Sequence, residues 1–271
     1  MTTRILDLLH DPGLPRLEAR MLLEHVLQRP RAWLLAHDTD AMPPAAEAAY
    51  RALAARRQAG EPMAYLLGER EFMGHAFRVT PDVLIPRPDT ELLAETAIAL
   101  LADRAGAAMV DLGTGSGAIA VSVALACPQA EVSATDCSPA ALAVAAGNAA
   151  RLGARVRTLH GDWYGALPPG ERYDLIVSNP PYIASGDPHL GQGDLRHEPR
   201  GALTDGADGL SALARIVQGA PARLRPGGAL WLEHGWDQAQ AVRGLLARAG
   251  FRGVESRRDL AGIERISGGN L

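Results

Sequence analysis

Ala107-Ala-Met-Val-Asp-Leu-Gly-Thr-Gly-Ser-Gly-Ala118, running on to Ala126, is the stretch on which the fold turns. Its first six residues, Ala107 to Leu112, form a short apolar run of the length and composition of a buried strand. Gly113, Gly115 and Gly117 then crowd into five positions, where the chain must turn sharply. Ala118 to Ala126 is rich in helix formers and free of Gly and Pro. Strand, tight glycine turn and helix make the first half of a crossover unit.

The pattern repeats on both sides. Leu92, Leu93, Thr96 and Leu100 give a helix before this strand. After it come a strand at Ala130 to Thr135, a helix at Pro139 to Arg151, and strands at Arg155 to Leu159 and Tyr173 to Ser178. A polar loop runs from Ile183 to about Gly206. A helix from Leu210 to Leu224, a strand from Ala229 to Glu233, a helix from Gln238 to Ala249 and two short strands complete the chain. Strands separated by helices of this length predict an α/β fold with a mostly parallel sheet, which binds ligands beyond the carboxyl ends of its strands.

Upstream the reading changes. Leu17, Met21, Leu22, Val26 and Leu27 recur at helical spacing, Ala45 to Arg57 is a second helix behind Pro43-Pro44, and Met63 to Leu67 adds a turn. Phe72, Phe77 and Val79 around Gly74-His75 predict a β-hairpin. Residues 1–68 are therefore expected to be a helical domain, 69–88 a hairpin linker and 89–271 the α/β domain.

The chain has 271 residues and a net charge of −4, so a general grip on nucleic-acid phosphates is not its expected trade. All 27 basic residues are Arg, which removes a phosphate loop ending in Gly-Lys and any Schiff-base lysine. The two cysteines, Cys127 and Cys137, are not in a Cys-x-x-Cys pair, and the histidines show no metal-ligand spacing, so no metal is expected. No signal peptide or membrane span is read, and the expected location is cytoplasmic.

The glycine loop alone is ambiguous. Gly113, Gly115 and Ala118 also fit the dinucleotide pattern, and glycines can simply make a tight turn. Asp136, at the end of the next strand, could accept from both ribose hydroxyls or cap the following helix. Asp162-Trp163 ends the third strand, where an adenine could lie on the Trp163 ring. Together these residues indicate a ligand containing adenosine.

Asn179-Pro-Pro-Tyr182 directly follows the fourth strand and carries more specific chemistry. Two prolines fix two φ angles and lack N–H donors, leaving carbonyls unpaired by their own segment. The Asn179 amide oxygen lies beside them. Fixed acceptors of this kind can receive both N–H bonds of a planar NH₂ group, with Tyr182 packing on the rest of it. Such a nitrogen is a poor nucleophile, and positioning against an activated methyl is what it needs.

With these two loops in view, the chain resembles the HemK/PrmC family of glutamine methyltransferases that act on release factors. Ile85-Pro-Arg-Pro-Asp-Thr-Glu91, Asp187-Pro-His189, Glu198-Pro199 and Glu233-His-Gly-Trp236 also match that family, and the similarity runs nearly the whole chain. The resemblance implies a seven-stranded, Rossmann-like methyltransferase sheet with its last strand antiparallel, behind a small helical substrate-binding domain. It implies S-adenosylmethionine held at Gly113, Thr114, Gly115, Ser116, Gly117, Asp136, Trp163 and Asn179. It also implies a substrate glutamine, from the Gly-Gly-Gln loop of peptide chain release factors, held by Asn179, Pro180, Pro181 and Tyr182, with Asn179 and Pro180 catalytic. Translation termination is the implied setting, with a monomeric enzyme and no nucleic-acid substrate.

Other readings remain open on the residues. An exocyclic amine of a nucleic-acid base is the same kind of nitrogen, though no basic stretch is available to hold the polyanion. An NAD-dependent oxidoreductase explains the glycines but not Asn179 to Tyr182. A noncatalytic adaptor leaves the intact acceptor loop without a purpose. Arg87, Asp89 and Glu91 are either cleft contacts or helix-start residues.

Overall fold

Prolines set the helices of the N-terminal part. Pro15, Pro30, Pro43 and Pro62 each stand directly before a helix, with φ between −55° and −72°. There the ring's fixed φ suits the entering chain and its missing N–H is not needed. Following α1 (Ile5–Leu9), these prolines introduce α2 (Arg16–Leu27), α3 (Arg31–Ala36), α4 (Pro44–Gln58) and α5 (Met63–Leu67). The computed structural model describes residues 2–271 and divides into two units, one ending at Glu69 and one spanning Arg70–Leu271.

The first unit packs Ile5, Leu8, Leu22, Leu23, Leu34 and Tyr50 into a common core. The Tyr50 hydroxyl donates to Leu8 O at 3.1 Å, so its polar end is satisfied inside that core. Helices α1 and α3 lie outside the sequence expectation; at five and six residues they are too short to show a helical period. On α2 the buried face is Ala19, Leu22 and Leu23, whereas Leu17 is 56% exposed.

At the start of the second unit, β1 (Glu69–Phe72), which begins on the last residue of the first, and β2 (His75–Arg78) form a hairpin. Met73 and Gly74 both take positive φ, at 52° and 78°, as a tight two-residue turn requires. The sheet strands are β3 (Ala108–Leu112), β4 (Glu131–Asp136), β5 (Val156–His160), β6 (Tyr173–Ser178), β7 (Leu224–Glu233), β8 (Arg252–Arg258) and β9 (Glu264–Asn270). The helices are α6 (Glu91–Leu101), α7 (Ala118–Ala126), α8 (Pro139–Leu152), α9 (Arg200–Leu203), α10 (Ser211–Gly219) and α11 (Ala239–Arg248).

Strand order is β5-β4-β3-β6-β7-β9-β8. The pairs from β5 through β7 are parallel, and β9 alone runs against its neighbours. This is the seven-stranded, mostly parallel sheet with its last strand antiparallel; β9 inserts between β7 and β8 rather than lying at an edge. Because successive strand residues face opposite sides, Met109 and Val177 join one core with Leu93, Ile119 and Phe77. Val110, Leu112 and Ile176 join the other with Leu213, Ile216 and Val242. Each face is thereby closed by helices.

The helix expected to reach Leu224 ends at Gly219, and β7 starts at Leu224. Any Cβ at Gly219 would lie 2.5 Å from the Tyr164 ring, and Pro221 lacks the N–H to continue the helix. The polar loop after Ile183 is more ordered than expected, folding into two short 3-10 turns and α9.

Candidate active site

Every sequence-derived candidate lies at the carboxyl edge of the sheet, in the second unit. After β3, Gly113, Gly115 and Gly117 have φ of 74°, 55° and 81°, a region that costs other residues strain. The N–H groups of Gly113 and Thr114 donate to Thr135 O at 2.9 and 2.8 Å, tying the loop to β4. Asp136 holds it from the side, accepting from Gly115 N at 2.9 Å on Oδ2 and from Ser138 N at 2.9 Å on Oδ1.

Beneath the loop, Asp111 is 1% exposed and accepts from Thr114 Oγ1 at 2.6 Å. Burial pushes its carboxyl up to about 7; the Thr114 hydroxyl opposes the shift and the Asp136 charge adds to it. From the other side, Asn148 on α8 donates to Ser116 O at 2.8 Å and to Arg78 O at 2.9 Å, and accepts from Arg78 N at 2.8 Å. One buried amide thus joins the loop, α8 and the hairpin.

A cavity of about 250 Å³ opens above these residues. Gly113, Thr114, Gly115 and Ser116 line it together with Asp136, Trp163, Asn179 and Pro181. Trp163 has φ of 46°, an uncommon value for a bulky residue, and its ring lies where a Cβ on Gly113 would come within 3.1 Å. Glycine at 113 is what lets ring and loop share a wall. Gly117 does not line the cavity; it starts α7, and a Cβ there would meet Ala145 at 3.1 Å. Asp162 does reach the cavity, but its carboxylate also pairs with Arg215 at 2.5 Å.

The Asn179 to Tyr182 segment is held from several elements. Ser178, the last residue of β6, donates to Leu112 O at 2.6 Å. The Asn179 Nδ2 group donates to Thr90 Oγ1 at 3.2 Å. Pro180 is buried, and Tyr182 packs against the core with its hydroxyl donating to Glu233 Oε1 at 3.2 Å. Neither Pro180 nor Tyr182 lines the cavity. Gln238 donates to Tyr182 O at 3.0 Å, and Gly209 is needed there because a Cβ would fall 2.4 Å from that oxygen.

The charged residues before α6 have structural partners. Arg87 lines the cavity and pairs with Glu198, which is 6% exposed and also accepts from Ile85 N at 3.1 Å. Asp89 lies 3.3 Å from Arg265, and Glu91 accepts from Met73 N at 2.9 Å. Thr90, Asn148, Glu233 and Gln238 belong to the site's framework and were absent from the sequence candidates. Two of them carried a visible signal: Thr90 lies inside the segment from Ile85 to Glu91, and Glu233 opens the segment that runs to Trp236.

A parallel sheet reversed only at its last strand, with a glycine loop after β3, defines the Rossmann-like methyltransferase fold. A methyltransferase crystal structure from Pyrococcus furiosus shares it, with a TM-score of 0.56 at 20% identity over 80% of this chain and 95% of that one. Residues 4–68 match the PrmC N-terminal domain and residues 88–193 the Methyltransferase small domain. The release factor glutamine methyltransferase of Bordetella pertussis is 76% identical over 99% of this chain and 100% of its own. That of Burkholderia pseudomallei is 58% identical over 98% and 95%. The chain belongs to the release factor glutamine methyltransferase family.

Proposed function

We propose that the protein transfers a methyl group from S-adenosylmethionine to the side-chain amide nitrogen of the glutamine in the Gly-Gly-Gln loop of peptide chain release factors. Full-length relatives carrying that activity in their names support the reading. The observation that carries it in this molecule is the Asn179 amide, fixed by Thr90 at the wall of the cavity that also holds the glycine loop.

The cavity's residues suit an adenosyl group. Asp136 and the Trp163 ring flank a wall that lacks a Cβ at Gly113 and Gly115, so a flat base and a ribose diol find a surface, an acceptor and room. Gly113, Thr114, Gly115, Ser116, Asp136, Trp163 and Asn179 are proposed to hold the cofactor, with Gly117 shaping the loop from outside the cavity. When bound, the cofactor would supply an electrophilic sulfonium methyl, and the residues at Asn179 to Tyr182 would present the glutamine amide nitrogen to it.

The chain's own contribution is positioning. Asn179 Oδ1 and Pro180 O accept the two N–H bonds of the glutamine amide, Pro181 shapes the wall, and Tyr182 fixes the far end of the segment. Drawing both protons toward fixed oxygens loosens the nitrogen lone pair from its carbonyl and aims it. No side chain is needed as a strong base. The helical unit is proposed as the substrate-binding domain, with residues 69–88 as the connection to residues 89–271. No helix among the described residues is long and apolar enough to cross a membrane, and we place the protein in the cytoplasm.

The test supplies methyl-labelled cofactor with an unmodified release factor and, separately, with DNA and ribosomal RNA. Mass spectrometry is expected to find one methyl on the glutamine of the Gly-Gly-Gln loop. Label on nucleic acid alone overturns the reading in favour of a base amine. Asn179→Ala is expected to lose at least about 100-fold in turnover, the scale for one transition-state hydrogen-bonding group, while cofactor still binds. Undiminished turnover would remove the clamp.

A further inference from the structure

Four tryptophans occur in the chain, and three of them have packing partners. Trp33 stacks on His37 with ring centroids 4.2 Å apart, Trp163 flanks the cavity, and Trp231 lies buried beneath the Arg257 guanidinium. Trp236 is 71% exposed and joins none of the three cores formed by the described residues. An indole left in water forgoes the burial that usually holds tryptophan inside a fold.

A rigid turn carries it. Gln238 N donates to Gly235 O at 3.0 Å, closing a β-turn with Trp236 and Asp237 at its tip. The turn is fastened to Tyr182 at both ends. On one side Glu233, which ends β7 and directly precedes His234-Gly235, accepts the Tyr182 hydroxyl at 3.2 Å. On the other, Gln238 Nε2 donates to Tyr182 O at 3.0 Å while its Oε1 accepts from Gly235 N at 2.8 Å. His234 braces the middle. A carbonyl oxygen only accepts, so the His234 Nδ1, 2.9 Å from Gly235 O, carries the ring proton, and Nε2 accepts the Ser267 hydroxyl at 2.7 Å.

Trp236 is thus displayed on a turn bonded to the last residue of the segment assigned to the substrate amide. What lies against such a turn when the glutamine is held is the glutamine's own stretch of chain. Its two preceding residues are glycines, which offer no side chain for recognition. They offer flat peptide groups and Cα hydrogens, and a broad aromatic face packs on these closely because no Cβ intervenes. On the glutamine-methylation reading, on which this rests, we propose that Trp236 is a substrate-docking residue whose indole packs on the Gly-Gly backbone before the methylated glutamine. The turn is ordered before substrate arrives, so docking spends little on ordering it.

Steady-state methylation of a release factor, together with tryptophan emission, tests this. Trp236→Ala should raise KM for the release factor by about tenfold or more, the scale of an aromatic anchor at an interface, with kcat and cofactor affinity unchanged. Trp236→Phe, which keeps a flat ring, should recover most of that loss, and neither variant should shift the melting temperature. A release factor with Ala in place of the glycine next to the glutamine should cost wild type at least about threefold more in kcat/KM than it costs Trp236→Ala. The Trp236 emission, taken as wild type minus Trp236→Phe, should move to shorter wavelength when the release factor binds. An unchanged KM in Trp236→Ala, a fall in kcat or melting temperature in its place, or equal costs of the glycine substitution in both proteins overturns the proposal. So does an emission that the release factor leaves unmoved. A wild-type protein that binds cofactor but leaves the release factor unmethylated removes the parent reading, and this inference with it.

Discussion

Replacing Asn148 should separate the scaffold of the site from its chemistry. The side chain is fully buried; three of its hydrogen bonds reach the backbone of Arg78 twice and Ser116 once, at 2.8 to 2.9 Å, and its Oδ1 also accepts from Arg151 at 3.3 Å. Asn148→Ala leaves one N–H and two carbonyls without those partners, at about 1 kcal/mol or more each, so a loss of about 3 kcal/mol is expected. For a unit of this size that lowers the melting temperature by roughly 6 to 12 °C. Asn148→Asp has nearly the same shape but aims a carboxylate oxygen at the carbonyls of Arg78 and Ser116, two acceptors with no proton between them. At pH 8 it should be worse than Ala. Its deficit should shrink as the pH falls, because protonating the acid restores a donor. Urea unfolding at pH 5 and pH 8 measures both effects, and calorimetry should show weakened cofactor binding through the loosened loop at Ser116. An Asn148→Asp protein as stable as wild type at pH 8 would refute the reasoning.

Two further substitutions probe the cavity floor. Gly113→Ala places a Cβ 3.1 Å from the Trp163 ring at φ of 74°, costing about 1 to 2 kcal/mol in backbone strain alone. Cofactor affinity should fall by about tenfold, which is 1.4 kcal/mol of displaced ring and loop; unchanged affinity in a folded variant would mean that ring and loop do not form one binding wall. Asp111 holds its proton up to about pH 7 in the folded chain and only to the ordinary carboxylate range when unfolded. Its contribution to stability is therefore lost as pH rises through that interval. Asp111→Asn should remove the slope and gain on the order of 3 kcal/mol at pH 8, relative to its effect at pH 4. Equal effects of Asp111→Asn at the two pH values, in urea unfolding, would contradict it.

The parts legible in sequence were those whose cause is local. The strand at Ala107 to Leu112, the glycines after it and the prolines at 180 and 181 act through their own backbone geometry, so the fold and both loops could be read directly. Residues that act on distant backbone left little trace. Asn148 binds Arg78 across 70 positions, Asn179 meets Thr90 across 89, and Tyr182 meets Glu233 across 51. Only strand order and register bring such pairs together, and no period in the chain encodes them. Helical spacing also placed Leu17 on the buried face of α2, although the packing chose Ala19, Leu22 and Leu23. The helix running to Leu224 was overread past a local signal: Pro221 lacks the N–H to continue it, and the chain passes into a 3-10 turn over Ala220–Ala222.

That distribution of partners bears on how so inert a nucleophile can be used. A carboxamide gains reactivity only while its hydrogens are held, and an ångström of slack in the acceptors returns it to resonance with its own carbonyl. Proline fixes two φ angles of the segment without outside help. Its remaining freedom is removed by Thr90 ahead of α6, Glu233 on β7 and Gln238 before α11, each arriving from a separate part of the chain. The sheet makes this possible because β7 lies beside β6 and ends level with it, so a side chain on one strand can brace the loop that leaves the other. Precision at Asn179 is therefore a property of the assembled sheet, and a peptide of the same four residues would not have it.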